Sequence, residues 1–237
     1  MFFDVAAYSA VGKRKNNEDS FVVLREKAGL FAVVADGVGG CDGGEVASRA
    51  AVDSLAASVS SEPFSMETLE DALVEANRAV LNAGSGTAKT TVAVLWCFGA
   101  EARAVNVGDS RIYQFRDGKI VFQSTDHSIP QLDVASGLIT PGEIRNHKDR
   151  NRITRCLGLA GPVKMNRKAL DVLPGDRFLL CSDGFWEPVW EEDMLGAAEE
   201  SSSAKDWLNR MKAIAFENER DNHTAIAIVV TETEEST

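Results

Sequence analysis

An α+β fold, with antiparallel sheets at its centre and helices outside, is what this sequence predicts. Three observations carry that expectation. Strand-like runs come in blocks, short turns join neighbours within a block, and pairs of helical patterns separate the blocks. The strand–helix–strand alternation of a parallel sheet is absent. At 237 residues, 44% hydrophobic and 26% charged, the chain is long enough to bury a sizeable core. It shows no repeat, low-complexity tract or linker, so residues 1–237 read as one domain.

The elements follow in order. Strand-like runs cover Phe2–Ala7, Ser20–Arg25 and Leu30–Ala35, with Lys27-Ala28-Gly29 as the turn between the last two. Gly44–Ser58 is alanine-rich and free of breakers, and so reads as a helix. Met66, Leu69, Ala72, Leu73, Ala76 and Val80 recur at helical spacing behind a capping Ser65. A meander comes next: Thr91–Phe98, Ala102–Gly108, Arg111–Phe115 and Lys119–Ser124. Residues 127–152 are polar, contain Pro130 and Pro141, and hold no sustained period. They read as a long functional excursion with one or two short helices. Arg177–Ser182 is a strand after the Pro174-Gly175-Asp176 turn. Helices over Glu191–Glu200 and Ala204–Phe216 and a strand over Thr224–Val230 complete the domain, ahead of a frayed acidic tail at 231–237.

Composition excludes several classes. Twenty-five basic against 36 acidic side chains give a net charge of −11, which disfavours nucleic acid and anionic membrane as partners. No apolar run approaches the roughly 18 residues that span a bilayer. The N-terminal apolar run precedes its positive charges, the wrong order for a secretory signal, so the expected location is the cytoplasm. The four cysteines (Cys41, Cys97, Cys156 and Cys181) form no CxxC pair. Cys97 and Cys181 sit in apolar strands as small core residues.

The strand ends carry the chemistry. Asp36 closes one apolar strand, and five of the eight residues after it are glycine. Asp183-Gly184 closes another, Asp109 sits in a turn, Asp221-Asn222 introduces the last strand, and Glu18-Asp19 precedes the second. An Asp-Gly alone is ordinarily a turn, and Asp117-Gly118 is read as nothing more. Several such ends on one rim would bring carboxylates together. Two carboxylates ~4 Å apart repel by roughly 4 kcal/mol at an effective dielectric near 20. Either their pKa values rise or cations lie between them. An oxygen-only ligand set suits hard ions such as Mg²⁺ or Mn²⁺, and a pair of these activates water for phosphoryl chemistry.

The motifs also occur in a recognisable order: RKNNEDS (Arg14–Ser20), DGVGG (Asp36–Gly40), GEVAS (Gly44–Ser48), Thr90-Thr91, GDSR (Gly108–Arg111), DHS (Asp126–Ser128), ITRCLG (Ile153–Gly158), LPGDRFLLCSDGFW (Leu173–Trp186) and DNHTAIAIV (Asp221–Val229). From about Asp4 to Val230 the chain resembles the metal-dependent type 2C protein serine/threonine phosphatases, the PPM family, in their compact bacterial form. The resemblance implies a four-layer α-β-β-α sandwich, with two antiparallel sheets face to face and metals at one end. It implies that Asp36 bridges two Mn²⁺ or Mg²⁺ ions, that Asp183 and Asp221 bind the first, and that the Gly37 carbonyl and Glu18 reach the second through water. Asp109 with Asp183 would hold a weaker third. Arg14 would clamp the substrate phosphate. Asp19 and Asn222 would support the ligands, and residues 127–152 would form a flap. The implied reaction is in-line attack by a metal-bridging hydroxide on phosphoserine or phosphothreonine, with no phosphoenzyme. The implied partners are phosphoproteins, a bacterial serine/threonine kinase and its targets, including kinases of secretion or cell-wall growth. A monomer is expected.

Four positions depart from the family pattern. Val38 stands where eukaryotic relatives carry a histidine, Cys41 where a histidine is frequent, and Lys89 where glycine is usual. Glu187 replaces an aspartate that helps hold the third metal. The histidines His127, His147 and His223 lack zinc spacing and read as structural. Rival functions fail on particular residues. AGSGTAKTT (Ala83–Thr91) has alanine at both required P-loop glycines. The Rossmann-like turn after Asp36 has Asp42 at its third glycine position. Ser110 with Asp221 and His223 makes a poor esterase triad, because Ser110 lies in a hairpin turn. A catalytically dead relative would have lost one of Asp36, Asp183 or Asp221, and all three are present.

Overall fold

The protein is described by a computed structural model over residues 1–26, 29–38, 43–60, 63–83, 87–217 and 220–232. Gly39, Gly40 and Cys41, read above as part of the glycine loop, lie outside the described residues. One sheet has the order β1 (Phe2–Ala10), β10 (His223–Thr231), β9 (Arg177–Cys181), β6 (Arg111–Arg116) and β7 (Lys119–Gln123). The other has the order β2 (Asp19–Glu26), β3 (Gly29–Asp36), β4 (Val92–Phe98), β5 (Glu101–Val107) and β8 (Asn166–Asp171). Every pairing in both is antiparallel.

Apolar patterning explains the layers. Alternate residues of a strand face opposite sides of its sheet. Leu30, Ala32 and Val34 of β3 meet Ile226 and Ile228 of β10 and Phe178 and Leu180 of β9 between the sheets. Phe31, Val33 and Ala35 face the other way, onto helices α1 (Gly44–Val59) and α2 (Met66–Asn82). On the opposite flank, Leu179, Cys181, Ala225 and Ala227 pack against α4 (Asp183–Trp186), α5 (Glu191–Glu199) and α6 (Ala204–Glu217). Strands covered on both faces therefore read as unbroken hydrophobic runs. The result is a four-layer α-β-β-α sandwich. Ser65 caps α2 by accepting the Thr68 N–H at 2.9 Å.

Two elements escaped the sequence reading. Strand β8 is polar, with only Leu170 buried, because it is a sheet edge exposed on both sides. Helix α4 is a single turn that begins at Asp183, where the sequence suggested only a strand end. The stretch 127–152 holds one helix, α3 (Ile129–Ala135), and a 3-10 turn at Pro141–Asn146. Its two ends are joined. The Ile129 N–H donates to the Arg152 carbonyl at 2.9 Å and the Thr154 N–H to the His127 carbonyl at 2.7 Å. Among the described residues, no helix is long and apolar enough to cross a membrane.

Candidate active site

Strand register brings the acidic ends to one rim. Arg111 and Ala225 both pair with Cys181, so Asp109 and Asp183 follow just beyond the same ends of neighbouring strands β6 and β9. In the other sheet Asp19 pairs with Asp36. Thr91 locks the end of β3. Its N–H donates to the Asp36 carbonyl at 2.8 Å, and its hydroxyl accepts the Asp36 N–H at 3.2 Å. The Thr90 hydroxyl donates to the same carbonyl at 2.8 Å. The Ser182 hydroxyl ties the two rims together by donating to Asp19 Oδ2 at 2.8 Å. Between them opens a cavity of about 330 Å³, lined in part by Arg14, Glu18, Asp36, Asp109, Asp183 and Asp221.

Asn222 anchors the loop that brings Arg14 and Glu18 into place. Its Oδ1 accepts the Glu18 N–H at 2.8 Å, and its Nδ2 donates to the carbonyls of Val11 and Asn16, each at 2.8 Å. Arg14 forms an ion pair with Asp221, so the residue expected to clamp phosphate rests on an expected metal ligand. Two glycines are required by close approach. A Cβ on Gly37 would lie 2.4 Å from the Gly44 carbonyl oxygen and 2.7 Å from that of Glu18. A Cβ on Gly184 would lie 2.1 Å from the Asn222 carbonyl oxygen.

The electrostatics are those of crowded acids. Burial, reinforced by Asp183, Asp19 and Asp109, holds the Asp36 carboxyl well above the ordinary range. Burial with Asp183 does the same to Asp109. Asp183 is raised by burial and by Asp221, and it shares a hydrogen bond with Asp36. Burial pushes Asp19 up to about 7, with Asp183 and Asp221 adding to it. Glu18 is raised by burial. Among the described residues no three of these carboxylates are drawn together into a finished ion site. Mutual repulsion opposes that contraction. The donor set fits hard divalent cations on two observations: every side-chain donor is oxygen, and Asp19 Oδ1 is buried without a hydrogen-bond partner.

A pH prediction arises here. Each raised carboxyl binds its proton more tightly in the folded than in the unfolded chain. That stability is fully present below the unfolded pKa near 4 and is lost as pH rises through the folded value. In chelator, Tm is therefore expected to fall between pH 5 and pH 8, passing through the Asp19 value of about 7. Added Mn²⁺ should raise Tm most at the alkaline end. Thermal scans across that range check both; a Tm that climbs with pH in chelator contradicts the assignment.

Other residues fall into place around this centre. Arg111 of the GDSR motif and Asp126 of the DHS motif form a buried ion pair, with Nη2 to Oδ2 at 2.7 Å. The Arg111 guanidinium lies 3.4 Å from the ring centroid of Trp186, whose Nε1–H donates to the Asp109 carbonyl at 2.9 Å. Trp186 is buried behind Asp109, where both its ring and its N–H are used. Trp190 is 40% exposed and borders a neighbouring cavity. His127 accepts the Gly108 N–H on Nδ1 at 3.1 Å, which steadies the turn carrying Asp109. His147 pairs with Asp133 at 3.3 Å within the 127–152 stretch. The buried His223 meets the Tyr8 hydroxyl at 3.0 Å. Glu187 turns toward Arg150 at 3.2 Å. Asn151, which the sequence did not single out, and Ile153, the first residue of the ITRCLG motif, line the acidic cavity. The only signal for Asn151 was its place at the end of the long excursion.

Comparison with known proteins shows the family and supports the fold. The family model described as protein phosphatase 2C matches residues 8–226. The chain is 37% identical over 194 residues to the serine/threonine protein phosphatase PstP of Mycobacterium tuberculosis, covering 78% of this chain and 36% of that protein. It thus spans about a third of that relative's length. It is 32% identical over 197 residues to the serine/threonine phosphatase stp of Listeria monocytogenes, covering 76% of this chain and 77% of that one. A crystal structure of the PstP catalytic domain in complex with two manganese ions superposes with a TM-score of 0.82 at 30% identity, covering 97% of this chain and 99% of that one.

Proposed function

The chain belongs to the protein phosphatase 2C family, and from that premise we propose that it hydrolyses phosphoserine and phosphothreonine in proteins with two bound divalent cations. One observation carries the reading: Asp36, Asp183, Asp221, Asp109 and Glu18 line a single cavity with Arg14 at its edge.

Asp36, Asp183 and Asp221 would hold the ions together with the Gly37 carbonyl and Glu18, and Asp109 would serve a weaker third. Asp19 and Asn222 would support them. When bound, the ions supply a water nucleophile of lowered pKa and neutralise phosphate charge. The rest is the work of the chain itself. Asp36 is aimed by a strand buried on both faces and by three hydrogen bonds to Thr90 and Thr91. The Arg14 guanidinium is half exposed, and a phosphate dianion competes with Asp221 for its planar fork. The lining holds no cysteine or histidine among the described residues, and the Thr91 hydroxyl is engaged with Ser110 at 2.6 Å. Direct attack by water, with no phosphoenzyme, is what the family resemblance implies, and a lining whose aspartates would serve as cation ligands is in keeping with it. Val38 offers no proton, so the leaving serine or threonine oxygen takes one from solvent. A serine/threonine kinase and its targets are the substrates this chemistry suits.

The test is turnover of a phosphothreonine peptide with Mn²⁺ and none in EDTA; equal turnover in both overturns the proposal. Arg14→Ala is expected to raise KM about tenfold and to change kcat less than about threefold, because it removes ground-state phosphate binding. Steady-state kinetics decide this, and a collapse of kcat at constant KM assigns Arg14 to the transition state instead.

A further inference from the structure

A second cavity, of about 280 Å³, adjoins the acidic one and shares Asp221 with it. Its other lining residues include Arg145, Arg150, Glu187, Trp190 and Arg220. We propose that it is an anion subsite, which takes a phosphate or carboxylate side chain a few residues from the phosphoresidue being hydrolysed. The proposal rests on the phosphatase reading above.

The charge balance favours an anion. Three arginines gather in one small cavity of a chain whose net charge is −11. Asp221 pairs with Arg14, and Glu187 with Arg150 at 3.2 Å, itself one of the three, so the positive excess of the lining rests on Arg220 and on Arg145, which shares Glu191. Arg145 is almost fully buried, with its Nη2 held by the Val189 carbonyl at 3.2 Å and by Glu191 at 3.0 Å. Its Nε is buried with no hydrogen-bond partner. A buried donor without an acceptor is costly, and an anion in the cavity supplies one. The Trp190 ring lies 4.7 Å from the Arg145 guanidinium and holds its plane in place.

The position fits a substrate chain. Arg145 and Arg150 come from the same excursion that sends Asn151 and Ile153 to the acidic cavity, so one segment borders both. An extended peptide advances ~3.3 Å per residue. A side chain two or three residues from the phosphoresidue therefore lies roughly 7–10 Å further along the chain, outside the acidic cavity and free to enter its neighbour.

The experiment uses phosphothreonine peptides that differ only at positions two or three residues to either side. There they carry alanine, glutamate or a non-hydrolysable phosphonate. With Mn²⁺, the wild-type enzyme is expected to favour the phosphonate peptide over the alanine peptide by about tenfold in kcat/KM. Arg220→Gln, at an exposed position, and Arg150→Gln should each cut that ratio several-fold. Glutamate matching phosphonate identifies a carboxylate as sufficient; phosphonate alone identifies a second phosphoresidue. A wild-type ratio near one, or a ratio unchanged in both variants, overturns the subsite while leaving the phosphatase reading intact. If no peptide turns over, the phosphatase reading fails, and calorimetry with the phosphonate peptide carrying unphosphorylated threonine decides the subsite. Binding several-fold tighter to wild type than to Arg220→Gln supports it, and equal affinity overturns it.

Discussion

Asp36→Asn is expected to lower Mn²⁺-dependent hydrolysis by about 10³-fold or more while raising the Tm of the chelated protein. The two effects have one cause. Asp36 is buried among Asp183, Asp19 and Asp109, and that crowding is what pushes its carboxyl up. An amide of the same shape stays neutral at every pH, needs no bound proton to sit in the cluster, and donates a hydrogen bond to Asp183. The backbone clamp by Thr90 and Thr91 is untouched, so the fold keeps its geometry. The same change removes a carboxylate that would hold the cations. Activity assays and thermal scans in EDTA measure the pair of effects. Residual Mn²⁺-dependent turnover within tenfold of wild type, or a lower Tm in EDTA, defeats this account of Asp36.

Asn222→Ala should cost about 3 kcal/mol or more, on the scale of about 1–3 kcal/mol for each buried polar group left without a partner. The side chain satisfies one N–H and two carbonyls in a loop more than 200 residues away in sequence. Alanine strands the Glu18 N–H and the Asn16 carbonyl, while the Val11 carbonyl keeps the Arg14 N–H at 3.3 Å. For a chain of this size the loss corresponds to a Tm drop of roughly 6–12 °C. Arg14 and Glu18 ride on that loop, so kcat/KM is expected to fall about 100-fold with the loss of positioning. Denaturation and kinetics test both. An unchanged Tm would show that the loop holds itself in place.

What could be read in advance was what local pattern controls. Strands β3, β9 and β10 are covered on both sides and announce themselves as apolar runs. Asp36, Asp183 and Asp221 were visible because each interrupts or borders such a run. Strand β8 was invisible for the opposite reason: a polar edge has no alternation to detect. The partners of Arg14, Arg111 and Asn222 are set by tertiary contacts that no spacing encodes. The arginines at 145 and 150 looked like ordinary charge in a polar stretch until the fold brought them beside Trp190 and Glu187.

The joined ends of the 127–152 excursion have a consequence for how this protein can change. The segment leaves and re-enters the body through neighbouring backbone positions, at the bridge between Ser128 and Ile153. It is attached like a cassette. Closing a longer segment at a fixed neck costs only about 0.6 kcal/mol for each doubling of length. Descendants of this scaffold can exchange that piece, and with it the company their substrates keep, while the carboxylate rim stays as it is.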